Sequence, residues 1–206
     1  MKLIVFGATG KTGIEIVKQG LADQHQVTAF VRTPSKMSFE HDSLRLVEGD
    51  VLDLTAVKHA IQGHEVVICS LGTSDLGKTM VRSAGTANII KAMQEAQIKR
   101  LIVISAMGVG ESWSTLSFVN KLFFATLLRN TRMDHEEQEK RVKQSDLDWT
   151  IVRPSGLSDT PRTGVYEVGE NIHAQTSRIA RADVADLVIK DLHNNTLIRK
   201  CVTITN

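Results

Sequence analysis

The chain has 206 residues, 42% hydrophobic and 23% charged, a balance that suits one soluble domain with a substantial core. Basic residues number 25 and acidic residues 23, well mixed, for a net charge of +2, so no basic stripe points to nucleic acid. No apolar run reaches the ~18 residues that a membrane span needs, no signal peptide precedes the first strand, and a reducing, cytoplasmic location is the expectation.

A strand over 2–6 feeds a glycine-rich turn, and the turn opens a helix over 11–20. The apolar run Leu3-Ile4-Val5-Phe6 is followed directly by Gly7-Ala8-Thr9-Gly10-Lys11-Thr12-Gly13. Backbone N–H groups and the positive end of the helix then converge on one spot, where a dinucleotide pyrophosphate is the usual occupant. Gly7 ends the strand in a conformation that a Cβ penalises. Gly10 lets the main chain approach a phosphate, and Gly13 lets the helix press against the strand. Thr9 and Thr12 add hydroxyl donors, and the helix dipole contributes about 0.3–1 kcal/mol toward an anion.

A second strand over 26–31 ends at Arg32, with Thr33, Ser35 and Lys36 following. An NAD site carries an acid here, about 20 residues past the glycines, to accept from the ribose 2′-hydroxyl. A guanidinium cannot accept; it matches a 2′-phosphate, so the expected coenzyme is NADP(H).

Strands at 44–47 and 66–71 flank a helix at 54–61. Gly72-Thr73-Ser74-Asp75-Leu76-Gly77-Lys78-Thr79 then fits the phosphate-binding loop of nucleoside triphosphatases, ahead of a helix at 79–96. Against that reading, the N-terminal turn already supplies a pyrophosphate site. No apolar strand ends in an acid placed to hold magnesium, and the strand at 101–105 ends in Ser105.

Helical spacing of Leu116, Val119, Phe123 and Leu127 predicts a helix, whole or broken, over 116–144 that packs on the sheet. Trp113, Phe118, Phe123 and Phe124 share that stretch, and Trp113 is the first choice to cover a planar acceptor ring. A strand at 149–153, an aperiodic segment at 155–180, a helix at 182–192 and a strand at 202–204 follow. The strands are apolar throughout, so both faces are buried. Their alternation with helices predicts an α/β fold, a single Rossmann-type domain over 1–206 with a doubly wound parallel sheet. Residues 155–180 are expected to form a small irregular cap over the carboxyl ends of the strands.

Cys69 and Cys201 lie in apolar runs and are expected to be buried thiols. His25, His41, His59, His64, His173 and His193 show no ligand spacing and no nearby cysteine pair, so no metal is expected.

Taken together, the residues resemble the biliverdin reductase B/flavin reductase family, which lies among the atypical short-chain dehydrogenase and NmrA-like proteins. The likeness runs nearly end to end, through 7–13, Val31-Arg32, Gly49-Asp50-Val51-Leu52, Leu71-Gly72-Thr73, Ser105-Ala106, the helix with His135 and Thr163-Gly164-Val165-Tyr166. It implies a monomeric, cytoplasmic NADPH enzyme with a small-molecule acceptor. It implies that Gly7 to Gly13 hold the pyrophosphate, that Arg32 holds the 2′-phosphate beside Thr33, and that Asp50 and Val51 flank the adenine. Leu71, Gly72 and Thr73 would line the nicotinamide ribose, and Pro154, Ser155 and Gly156 would touch the nicotinamide. Ser105 matches the family's active-site serine. His135 matches a coenzyme-contacting histidine that would steady the ribose or supply a proton near neutral pH. Two positions depart from the family: Gly156 replaces a histidine and Arg153 an apolar residue, which brings Arg153-Pro154-Ser155-Gly156 closer to the NmrA-like pattern. The short-chain dehydrogenase Tyr-x-x-x-Lys is missing, since the single tyrosine, Tyr166, has Glu170 four residues on.

Two functions fit these residues. Hydride transfer to a planar conjugated acceptor (flavin, bilin or quinone) needs little beyond placement, because the coenzyme carries the reactivity. An NmrA-like redox sensor would bind NADP(H) without turnover and signal through a partner. An epimerase or dehydratase fits less well without a catalytic tyrosine.

Overall fold

The computed structural model describes residues 1–73, 77, 79–115, 126, 128–170, 172–174 and 178–206. In chain order its elements are β1 (Lys2–Phe6), α1 (Lys11–Ala22), β2 (Gln26–Val31), β3 (Leu44–Glu48), α2 (Leu54–Ile61), β4 (Val66–Cys69) and α3 (Val81–Glu95). They continue as β5 (Arg100–Ile104), α4 (Arg129–Lys143), β6 (Asp148–Pro154), β7 (Gly156–Ser158), β8 (Glu167–Gly169), β9 (Arg178–Ala180), α5 (Arg181–Asn194) and β10 (Lys200–Thr205). One sheet runs β3-β2-β1-β4-β5-β6-β10-β8, parallel except for β8, which pairs antiparallel with β10.

The uniformly apolar strands serve two cores. Leu3 and Val5 of β1 point to a layer with Ile16 and Val17 of α1 and Val184 and Val188 of α5. Their neighbours Ile4 and Phe6 point to the other layer, with Val57 of α2, Ile89 and Met93 of α3 and Val142 of α4. Burying each such side chain contributes about 1.5–3 kcal/mol, and the period of two explains why one strand can feed both faces.

Three sequence expectations change. The strand expected to reach residue 71 stops at Cys69. Ser70 still donates its N–H to Phe6 O at 2.9 Å, but no strand pairing continues beyond it. The cap segment is irregular as expected over most of its described residues, but it also holds three short strands: β7 and β9, which pair in parallel, and β8, which extends the main sheet. Strands of three residues are too short to show a period. Cys69 is buried as expected, whereas Cys201 is half-buried on the rim of the second core. Of the helix expected over 116–144, α4 supplies Arg129–Lys143; the apolar stripe Leu116, Val119, Phe123 and Leu127, with Phe118 and Phe124, lies outside the described residues.

Candidate functional site

The carboxyl ends of β2, β1, β4, β5 and β6 lie side by side, and they bring Arg32, Gly7, Leu71, Ser105 and Ser155 into one row. At its centre, Gly7 has a φ of +78°, and a Cβ there would fall 2.3 Å from Ser70 O. The turn therefore needs glycine at this point to pass the end of β4. Gly13 answers to the turn rather than to the strand: its Cβ would lie 2.2 Å from Gly7 O and 2.9 Å from Ala8 Cα. Gly10 is different, since its Cβ would meet only Gly7 O, at 3.2 Å. That contact is tight but less severe than those at Gly7 and Gly13, so Gly10 also leaves room for a group approaching the turn from outside.

Gly10 also precedes α1, with extended backbone and no side-chain cap. The first helical bond runs from Ile14 N–H to Gly10 O at 2.8 Å. The N–H groups of Lys11, Thr12 and Gly13 precede that bond and so have no partner within the helix. No acid occupies the first turn to compete for them. These donors, and the space at Gly10, fit a pyrophosphate. Lys11 itself is engaged elsewhere: its Nζ lies 2.5 Å from Asp159 Oδ2 in the cap, and Arg181 binds the same carboxylate.

Arg32 and Thr33 are exposed just past β2, and Arg32 has no ion pair among the described residues. Thr9 is half-exposed at the turn and Thr12 is buried. Asp50 is exposed and uses Oδ1 to accept from Leu52 N–H at 2.9 Å, leaving its other oxygen outward. Val51 is buried against α3, where a Cβ on Gly85 would fall 2.9 Å from both Val51 Cγ1 and Leu71 Cδ1. Gly85 thus lets two of the expected site residues meet, a role that no local motif announces. Gly72 is exposed and Thr73 half-exposed beyond Leu71.

The row changes character at β5. Ser105 donates its N–H to Val152 O at 2.7 Å, and its hydroxyl donates to Glu139 Oε1 on α4 at 2.7 Å. Glu139 is gripped by Arg153 of β6, Nε to Oε1 at 2.9 Å and Nη2 to Oε2 at 2.5 Å. Arg153 is only 2% exposed. Its Nη2 also reaches Glu111 Oε2 at 2.7 Å, and Lys143 Nζ meets Glu111 Oε1 at 3.0 Å. The bond from Arg153 is the main reason that the Glu111 carboxyl is held down to about 2.

His135 lies one turn before Glu139 and is buried. Its Nδ1 is 3.3 Å from Gln138 Oε1 and 3.5 Å from Ser105 Oγ, and Gln138 Nε2 donates to Thr86 Oγ1 at 2.8 Å. Burial first, and the nearby Arg82 charge second, push the imidazole down to about 4. A ring held that low favours its neutral form at pH 7, which runs against the expectation that it supplies a proton near neutrality. It offers a hydrogen bond instead.

Beside it, Asp134 accepts from the N–H groups of Arg82 and Ser83 at 3.1 and 3.0 Å and so caps α3. A triphosphate loop would need that helix end for phosphate, and the carboxylate already occupies it. Ser74, Asp75, Leu76 and Lys78 of the loop-like motif lie outside the described residues.

At β6, Pro154 and Ser155 are buried and Gly156 is exposed. Ser155 Oγ has no hydrogen-bond partner among the described residues. A buried hydroxyl without a partner costs free energy, so this atom at the end of β6 is also suited to a ligand. Trp113 is half-exposed, with the Arg132 guanidinium 4.7 Å above its ring, so one face is already covered. Tyr166 stands on the α5 side and donates its hydroxyl to Asp186 Oδ2 at 2.7 Å. Burial and that bond push the phenol pKa up, the opposite of what a proton-shuttling tyrosine requires.

Sequence reasoning missed Glu139, Gln138 and Asp134, and treated Arg153 only as a departure from the family. The available signal was spacing: 134, 135, 138, 139 and 142 form one buried face of α4.

A mostly parallel sheet with β3-β2-β1-β4-β5-β6 order, helices on both faces and a glycine turn after β1 defines a Rossmann-type dinucleotide-binding protein. Residues 7–195 match the NAD(P)H-binding family, and the chain belongs to it. The uncharacterized protein YwnB of Bacillus subtilis is 30% identical over 204 residues, spanning 94% of this chain and 93% of YwnB. A short-chain dehydrogenase/reductase of Veillonella parvula, solved in complex with NADP, shares the fold with a TM-score of 0.83 at 19% identity, over 100% of this chain and 94% of that one. ChuY, an anaerobillin reductase from Escherichia coli O157:H7, shares it with a TM-score of 0.82 at 24% identity, over 100% and 97% of the two chains. No helix among the described residues is long and apolar enough to cross a membrane.

Proposed function

We propose that the chain is an NADPH-dependent reductase that passes a hydride to a planar conjugated acceptor such as a flavin, bilin or quinone. The observation that carries this reading is the chemistry around Ser105. His135 is neutral at pH 7 and Tyr166 is tied to Asp186, so neither described group offers an acidic proton there near neutrality. An acceptor whose ring delocalises the incoming charge needs no such proton in the hydride step. A bound reduced nicotinamide supplies the hydride. The chain supplies placement: Gly7 to Gly13 for the pyrophosphate, Arg32 for the 2′-phosphate, Asp50 and Val51 for the adenine, and Leu71 to Thr73 and Pro154 to Gly156 for the nicotinamide side. Because the Ser105 hydroxyl gives its proton to Glu139, its oxygen keeps accepting capacity for an N–H, such as that of His135 at 3.5 Å or of a carboxamide or ring imide. The bilin chemistry of ChuY, which shares the fold, is consistent with this acceptor class.

NADPH oxidation followed with FMN, riboflavin, biliverdin and quinones in turn tests the proposal. Turnover with at least one is expected, and tight NADPH binding with no turnover on any would overturn it. That second result would leave an NADP(H) sensor. One feature favours such a reading: Asp159 links Lys11, at the start of α1, to Arg181, at the start of α5. A sensor would distinguish NADP⁺ from NADPH by affinity in the same calorimeter.

A further inference from the structure

Two neighbouring residues and one far along the sequence meet at the opposite end of the molecule from the glycine turn. Asp23 is the C-terminal cap of α1, His25 precedes β2, and His193 lies in the last turn of α5. Asp23 Oδ2 is 2.5 Å from His193 Nε2 and 3.0 Å from His25 Nε2. One ligand atom from each residue falls within 4.8 Å of the other two. His25 is only 5% exposed, yet its Nε2 has no hydrogen-bond partner among the described residues. That buried imidazole nitrogen faces the Asp23 carboxylate at 3.0 Å, a close contact without hydrogen-bond geometry. The side chains of Asp23 and His193 are 38% and 56% exposed, which leaves the cluster open to solvent on one side.

We propose that Asp23, His25 and His193 form a binding site for a divalent transition metal of the zinc class. Two imidazole nitrogens and one carboxylate oxygen are a zinc donor set, with a fourth position for water. Calcium and magnesium favour all-oxygen shells and fit it poorly. Tetrahedral zinc at bond lengths of about 2.0–2.1 Å spaces its ligand atoms about 3.3 Å apart. The two separations from Asp23, 2.5 and 3.0 Å, must widen to reach that value, and all three ligand atoms already lie within 4.8 Å of one another.

The imidazoles must be neutral to bind. Burial first, then the Met1 amino group and His193, lower the His25 pKa, while Asp23 and Glu65 oppose them. His25 Nδ1 faces the Met1 amino nitrogen at 3.5 Å. The metal would join the α1–β2 turn to the end of α5.

Titration of ZnCl2 into the full chain by calorimetry, with wild type, His193→Ala and Asp23→Asn, tests the site. Wild type is expected to bind one ion and to gain thermal stability with it. Each variant is expected to lose at least about tenfold in zinc affinity, a loss that even outer-shell changes cause at metal sites. CoCl2 should give tetrahedral visible absorption in wild type and not in His193→Ala. NADPH affinity serves as the folding control and should be equal in all three. No zinc uptake by wild type, or uptake by His193→Ala within tenfold of wild type, overturns the proposal without touching the coenzyme site.

Discussion

Around Gly7 the molecule presents main chain; around Ser105 it presents side chains. The first half of the strand-end row is made of glycine, unpaired N–H groups and a helix end, and its fit depends on space at Gly10. The second half is a buried polar chain from Ser105 through Glu139 to Arg153, which reaches the exposed Glu111. A surface built from main chain tolerates changes that leave its path intact. A buried ionic chain does not, because removing one member strands the others. The two halves should therefore fail differently, one in ligand affinity and the other in stability.

The largest expected effect is on stability. Glu139→Ala leaves the buried Arg153 with Glu111 as its remaining carboxylate and should cost about 3 kcal/mol or more in urea unfolding. A loss below about 1 kcal/mol would mean that the second half does not depend on its ionic chain. Gly10→Val is the converse case. Stability should fall only modestly, because its Cβ meets one backbone oxygen at 3.2 Å, while NADPH affinity measured by calorimetry should fall more than about a hundredfold, ~3 kcal/mol. Retained binding would place the pyrophosphate elsewhere.

A pH series sharpens the contrast. The imidazole of His135 takes a proton near pH 6.5 when unfolded and near 4 when folded, so the unfolded state binds more protons between those values. Stability should fall as pH drops from 6.5 to 4 and stop falling from this source below 4. The contribution is at most about 3 kcal/mol, at 1.36 kcal/mol per pKa unit. His25 and His64 act in the same direction, so the comparison is with His135→Gln, whose pH slope should be shallower. An unchanged slope would remove the assignment. Smallest is Arg32→Asp, which should weaken NADPH by about tenfold to a hundredfold, 1.5–3 kcal/mol, and NADH far less. Equal losses for both coenzymes would remove the 2′-phosphate role.

The same division decides what the sequence reveals. The main-chain half is legible because glycine spacing and an apolar run encode it locally, down to the positive φ at Gly7. The reason for Gly13 is less local, since it answers to a turn closing on itself. The side-chain half is nearly invisible because the buried face of α4 is polar. Asp134, His135, Gln138 and Glu139 look like a solvated helix surface until Arg153 is placed opposite them. Hydrophobic periodicity finds faces that are buried for apolar reasons, and this one is buried for ionic reasons. The meeting of Val51 and Leu71 over Gly85 likewise depends on three segments that no window of sequence contains.

Asp159 gives the molecule a second kind of ion pair, held in the open between Lys11 and Arg181. Dissolved salt screens exposed charges over about 8–10 Å at ordinary ionic strength, and sealed pairs much less. Raising the salt should slacken the strap between the first helix and the last while the Glu139–Arg153 pair stays shut. Ionic strength thus becomes a dial that loosens one end of the strand-end row without melting the other.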